Sequence, residues 1–227
     1  MKLRVKYLKM EGARFLSHLE LMKAMERAFR RAKIPLAFSE GFNPHPKISY
    51  ASALSVGIAS RGEYLDLDLN IEMDLADFKN RINSCLVKGI EVLDVKEVEG
   101  KTKSLTAIIE RAEYTAICLL EQKLKVEDLQ RLVEDFLRQP EIIVNRKSKD
   151  KEKAINIKEG IYHLSAELNN LNLVINFIVD SGSKGNVRAG EVYRAFITFA
   201  NITIHGSPIF IREDLYTVEN GSLCTPI

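Results

Sequence analysis

The sequence predicts an α+β fold made of two tandem ferredoxin-like (β-α-β-β-α-β) halves with antiparallel sheets. Three observations predict it. Period-two alternation of apolar and polar residues, the mark of a strand wetted on one side, recurs from residues 2–9 through 64–69 to 171–179. The 3.6-residue period of an amphipathic helix occurs in four stretches, near 17–32, 74–86, 126–138 and 189–199. The order strand-helix-strand-strand-helix-strand is complete by residue 98, and a similar series follows the polar run 99–103 (EGKTK). That run marks the boundary between halves at residues 1–100 and 101–227.

In the first half, residues 2–9 place Leu3, Val5 and Tyr7 on one face and Lys2, Arg4 and Lys6 on the other. Gly12 breaks this strand. Ser17-His18-Leu19-Glu20 has the form of a capping box, in which Ser17 accepts from the backbone and Glu20 reaches back. The helix it opens runs to about Ala32. It turns Leu19, Met22, Met25 and Phe29 toward a sheet and Lys23, Arg27, Arg30 and Arg31 away from it. Residues 34–39 read as a short strand, with Pro35 at its start where a missing N–H is tolerated. In the loop 40–47, Asn43 and His45 each precede a proline and are pushed to extended conformations. Gly41 permits a positive φ, so the loop is expected to be stiff. Strand material at 48–58 and 63–69 flanks Arg61-Gly62, and Asp66 and Asp68 share one face of it. Asp74 caps a helix with Leu75, Phe78 and Ile82 inward, Gly89 ends it, and 90–98 is a strand.

In the second half, residues 113–120 are a strand, 126–138 a helix and 141–146 a strand. The charged run 145–153 reads as a hairpin-like, solvated loop, and 154–157, 162–168 and 171–179 as strands, the last two joined by a tight turn at Asn169-Asn170. After Gly182-Ser183-Lys184-Gly185 a helix spans about 189–199, and residues 202–215 supply one more strand or two.

Composition limits the function classes. The chain has 227 residues, 46% hydrophobic and 28% charged, and no apolar run approaches the roughly 18 residues of a spanning helix. The N-terminus has no signal-peptide core, so a cytoplasmic protein without a membrane partner is expected. Cys85, Cys118 and Cys224 are far apart and form no CxxC or CxxxCxxC, which argues against a disulfide framework, a zinc finger or a resident iron–sulfur cluster. No Walker A, GxGxxG, GxSxG or HExxH string occurs. The net charge of +2 hides an asymmetry: residues 1–50 hold eleven Lys and Arg against four Asp and Glu, net +7, leaving −5 for the rest.

That asymmetry points to a localised anion-binding face. Its candidate residues are Arg14, His18, Lys23, Arg27, Arg30 and Arg31, with Ser39, Gly41, Phe42, Asn43, His45 and Lys47 from the stretch 34–50 (IPLAFSEGFNPHPKISY). The plain alternative is a wet helix beside an ordinary loop. His18, near a basic cluster, is a candidate general base for RNA cleavage, although its direction along the helix leans toward the buried side. His45 has no carboxylate or second histidine at ligand spacing, and stacking with Phe42 or Tyr50 suits it better than a metal. Asp66 and Asp68 could hold Mg²⁺, but on an alternating strand they read as the wet side. Gly182, Lys184 and Gly185, with Arg188 after them, form a GxxG loop before a helix, the pattern that clamps nucleotide phosphates and also that of many βα loops.

The run from Arg14 to Glu20, the pairs Glu26-Arg27 and Arg30-Arg31, and the stretch 34–49 resemble the hallmark of one family. It is the radical SAM-linked (radical SAM-associated) family of uncharacterised bacterial proteins, the DUF2344 domain. Leu54, Gly57, Ser60 and Glu63-Tyr64 continue the resemblance, as do Asn186-Val187-Arg188 with Glu191-Val192, and residues 211–216 more weakly. Members are fused behind a radical SAM enzyme or encoded beside one, often near genes for ribosomal proteins. The resemblance implies an accessory or substrate-recruiting protein for such an enzyme, with RNA or the ribosome as a further partner. The iron–sulfur cluster and S-adenosylmethionine would then belong to the partner enzyme, with no cofactor in this chain. Two alternatives stay open: a metal-free RNA endonuclease of the CRISPR RNA-processing type with His18 as base, and a protein-docking scaffold.

Overall fold

The computed structural model describes residues 1–227 except 101, 149, 150, 183 and 184. It divides into two compact units, Met1–Glu110 with Arg212–Ile227, and Arg111–Ile211. The sequence places the division at residue 100; the units part ten residues later, and the end of the chain returns to the first unit. Unit one contains β1 (Lys2–Lys9), a 3-10 turn (Glu11–Phe15), α1 (His18–Arg31), β2 (Ile48–Tyr50), β3 (Ala59–Asp68), α2 (Leu75–Asn83), β4 (Ile90–Glu97) and the short α3 (Leu105–Ile108). Unit two contains β5 (Arg111–Leu120), α4 (Val126–Arg138), β6 (Ile143–Ser148), β7 (Lys151–Asn156), β8 (Ile161–Asn169), β9 (Asn172–Asp180), α5 (Ala189–Phe199) and the first half of β10 (Ile204–Glu219). The second half of β10 and β11 (Ser222–Cys224) belong to unit one. The fold is mixed α+β, with mostly antiparallel pairing and few helices. Among the described residues no helix is long and apolar enough to cross a membrane.

In unit one the strands run in the order β4-β1-β3-β10, with β2 also paired to β3 and β11 to β10. The register Leu3↔Leu67, Val5↔Leu65 and Tyr7↔Glu63 sets the apolar residues of β1 and β3 on one face. On that face α1 and α2 lay Leu21, Met25, Phe29, Phe78 and Ile82, all buried. Burial of each such side chain is worth about 1.5–3 kcal/mol, so the unit has a core of its own. The inward stripe of α1 is Leu21, Ala24, Met25, Ala28 and Phe29, and Leu19 is 59% exposed. The expected stripe is thus rotated, because small Ala24 and Ala28 let the helix lie close to the sheet, which turns Leu19 outward with Lys23 and Arg30.

The other face of β1 and β3 is not wet as alternation predicts. Arg4 and Asp66 are buried and joined by two bonds, Nε to Oδ1 at 2.8 Å and Nη2 to Oδ2 at 3.0 Å, and Arg4 Nη1 donates to Pro226 O. The paired acids of the magnesium reading therefore include one that an arginine already holds. Residues 34–39 form only isolated bridges, Leu36↔Leu69 and Phe38↔Pro46, and the strand expected over 48–58 shrinks to Ile48–Tyr50. Pro35, Pro44 and Pro46 supply no N–H and interrupt any ladder over residues 34–47.

In unit two the order is β10-β5-β9-β8. β8 and β9 turn at Asn170, whose φ of 57° suits asparagine. The charged run 145–153 lies mostly within the paired hairpin β6–β7, with residues 149 and 150 outside the described ones. Phe136 of α4 meets Phe196 of α5 edge-on at 5.4 Å, and Ile175 and Phe177 of β9 are buried in the same unit.

Candidate anion-binding face and buried polar pocket

α1 begins with the capping box its sequence announces: Glu20 N–H donates to Ser17 Oγ, and Ser17 N–H donates to Glu20 Oε2 at 2.8 Å. The hydrogen bonds from Ser17 hold the Glu20 carboxyl below its usual range. Beyond this cap, Lys23, Arg27 and Arg30 are exposed on one side of the helix and form no ion pair among the described residues. Arg31 is exposed as well, but it donates to Cys85 O and ties the end of α1 to the segment after α2. Arg14, in the 3-10 turn, lies 4.7 Å over the ring of Phe15, and its buried Nε has no partner among the described residues. Between that turn and α1 runs an open groove of about 430 Å³. Ala13, Leu16 and Ala24 form its apolar floor, Gly12 and Val87 its walls, and Lys23, Arg27 and Lys88, with Glu20, its charged rim.

The loop after α1 is closed on itself. Ser39 N–H donates to His45 O at 2.8 Å, His45 N–H to Ser39 Oγ at 3.0 Å, and Lys47 N–H to Ala37 O at 2.8 Å. Gly41 takes a φ of +113°, a conformation that L side chains rarely adopt. Phe42 is fully exposed at 107%, and Asn43, His45 and Lys47 are exposed beside it. Ser39, through its N–H and hydroxyl, and His45, through its N–H and carbonyl, shape the loop, and the side chains of Phe42, Asn43, His45 and Lys47 are exposed.

His18 belongs elsewhere. Its ring meets Tyr50 edge-on at 5.5 Å and borders a small cavity of about 10 Å³, room for one water, lined also by Tyr7, Lys9, Ser52 and Glu63. None of Ser39, Asn43, His45 or Lys47 lines it, so the candidate residues do not gather around one cleft. The pocket rests on buried charges. Arg212 grips Glu63 through Nε–Oε1 at 2.7 Å and Nη2–Oε2 at 2.5 Å, and also donates to Ser52. Lys9 is 1% exposed and donates to Leu16 O at 2.8 Å. Burial pushes the Lys9 pKa down, a shift that the Glu63 charge opposes and the Arg212 charge reinforces. Burial raises the phenols of Tyr7 and Tyr50, and Tyr50 Oη has no partner among the described residues. Sequence reasoning missed Lys9, Glu63 and Arg212. The one available signal was parity: Lys9 continues the Leu3, Val5, Tyr7 face of β1. The register with β3 slips between Tyr7 and Lys9. Opposite lies Gly62, where a Cβ would sit 2.9 Å from Asp214 Cα.

In unit two, Lys184 of the glycine-rich loop lies outside the described residues. Gly182 has a φ of +101°, and a Cβ on Gly185 would meet Asp180 Oδ2 at 2.7 Å. Asp180 in turn pairs with Arg111 at 2.9 Å and accepts from Tyr162. The glycine thus makes room for a carboxylate. At the start of α5, Arg188 N–H donates to Glu191 Oε2, and Glu191 is held by Arg146 at 2.7 Å through each oxygen. The helix terminus therefore already has an anion of its own. Cys118 is buried in this unit, and Cys85 and Cys224 are half-buried in the other. No group of three or more His, Cys, Asp or Glu among the described residues is placed to hold a metal ion.

The family described as "Uncharacterized protein conserved in bacteria (DUF2344)" matches residues 2–189. The chain belongs to this family. No curated protein matches this DUF2344 chain. Among solved structures it is similar to a chain of a Cbf5-Nop10-Gar1 complex, with TM-score 0.51 and 12% identity over 92% of this chain and 47% of that one. A chain of the archaeal box H/ACA sRNP Nop10-Cbf5 complex gives TM-score 0.46 and 10% identity over 92% and 46%. The DUF2344 chain spans about half the length of these solved chains. At 12% identity the likeness to the first is one of fold.

Proposed function

We propose that this DUF2344 protein is an RNA-binding accessory protein that recruits substrate to a radical SAM enzyme. The observation that carries the RNA half is the exposed trio Lys23, Arg27 and Arg30 on one side of α1, without ion pairs among the described residues. Cations held on a rigid helix and left unneutralised suit a phosphate backbone. The exposed loop 41–47, with Phe42 and Lys47, extends the same end of the chain's charge toward that partner. The enzyme half rests on the resemblance to the radical SAM-associated family and on the wide spacing of Cys85, Cys118 and Cys224, which suits cluster chemistry on another chain.

The same reading takes each unit as a ferredoxin-like half. Support comes from strand order. In unit one the fourth strand lies beside the first and the first beside the third, with the second on the third, as β4-β1-β3 and β2. Unit two repeats fourth-first-third-second as β10-β5-β9-β8, with β6–β7 inserted before the second. His18 as a nuclease base is the weaker reading, because the space it borders admits a water and no phosphodiester.

Two experiments test the proposal. Arg27→Glu with Arg30→Glu should weaken binding to a structured RNA at least tenfold in a filter-binding assay, and unchanged binding would refute the RNA half. Co-purification with a radical SAM enzyme from the same cell is expected, and its failure at native expression would refute the enzyme half.

A further inference from the structure

Resting on the reading that α1 binds RNA, we propose that the groove between the 3-10 turn and α1 takes one unpaired nucleotide of that RNA, its base on the floor and its phosphate on the rim. The groove's volume of about 430 Å³ falls within the range of small-ligand sites. The floor is apolar. Ala13, Leu16 and Ala24 form it, and Val87 stands over it 41% exposed. Gly12 leaves the wall bare, since no heavy atom lies within 4 Å of where its Cβ would be.

The rim is cationic. Lys23 and Arg27 carry no ion pair among the described residues, and Lys88 stands opposite them. Two carboxylates accompany these three cations, Glu20 in the lining itself and Glu11 beside Lys88, so the cations outnumber them by one. Glu20 is turned back on the N–H and hydroxyl of Ser17, and Glu11 pairs with Lys88 at 3.1 Å. A ligand that matches both parts has one flat apolar face and one anionic group. A duplex presents only its phosphates, and its stacked bases cannot enter. An unpaired nucleotide presents both, and a planar guanidinium such as that of Arg27 can lie along a base.

The test compares two labelled RNA strands of equal length and charge, a twelve-nucleotide oligouridylate and its fully abasic counterpart, by fluorescence anisotropy with the full chain. The wild type should bind the base-bearing strand about tenfold more tightly. Gly12→Leu, which fills the groove, and Val87→Asn, which strips its wall, should each bring that strand to the abasic affinity and leave abasic binding as it was. Circular dichroism confirms the fold of each variant, and either one suffices if the other does not fold. Equal binding of both strands by the wild type, or an unaltered preference in a folded variant, overturns the inference while the RNA reading stands. Binding of neither strand overturns the inference as well, and the RNA reading is then decided by the filter-binding assay with structured RNA.

Discussion

At Arg212 and Glu63 two opposite charges, 2% and 3% exposed, meet through two bonds across 149 residues of sequence. Removing one partner strands the other in a low dielectric, which for buried pairs costs about 3–5 kcal/mol, whereas removing both can be nearly neutral. Arg212→Met should therefore lower the unfolding midpoint in urea sharply, and Glu63→Leu with Arg212→Met should restore most of it. Destabilisation of the double variant equal to that of the single one would contradict this. A second pair titrates in unit two. Burial alone would raise the Glu191 carboxyl, but the hydrogen bonds from Arg146 and from Arg188 N–H, with both guanidinium charges, take it below its usual range. A carboxyl depressed in the folded state contributes stability above its unfolded pKa and loses it as pH falls through the folded one. Thermal stability should thus fall from pH 5 toward pH 3, and Arg146→Met should flatten the fall. None of these pairings was legible in the sequence. Lys, Glu and Arg read there as surface, and nothing local says that Glu63 faces inward or that Arg212 returns from the end of the chain to meet it.

At the scale of the element, α1 shows what the sequence carries well. Its start follows from Ser17 and Glu20, and its exposed cations follow from the helical period, because both are local properties. Ser17→Ala removes the cap and should cost about 1 kcal/mol, read as a lower unfolding midpoint, with a Ser17→Asp variant close to wild type. The bounds of α4 and α5 were legible for the same reason, since the apolar period and the surrounding polar residues fix them without reference to the rest of the fold. The strands were less so. Residues 34–39 and 48–58 have strand-like composition, yet Pro35 leaves the first only isolated bridges, and the second pairs only over Ile48–Tyr50. The rotation of α1 was hidden as well. Whether Leu19 or Leu21 faces the sheet depends on how closely Ala24 and Ala28 let the helix approach, and that distance is a tertiary property.

For the whole molecule, the mixed α+β class and the concentration of positive charge near the N-terminus were legible, and the use of that charge was only half so. Of the seven cations counted in excess over residues 1–50, several are consumed inside: Arg4 by Asp66, Lys6 by Asp214, and Lys9 by burial beside Glu63. What remains outside is concentrated on α1 and on the loop after it. The central claim is that this remainder binds RNA phosphates, and the salt dependence of RNA binding tests it most directly. With Lys23, Arg27 and Arg30 each neutralising one phosphate of a single strand, log affinity should fall with log salt at a slope of about −2, at roughly 0.7 per contact. Arg27→Glu with Arg30→Glu should remove most of that slope. An affinity indifferent to salt, or a slope the variant leaves unchanged, would contradict the account.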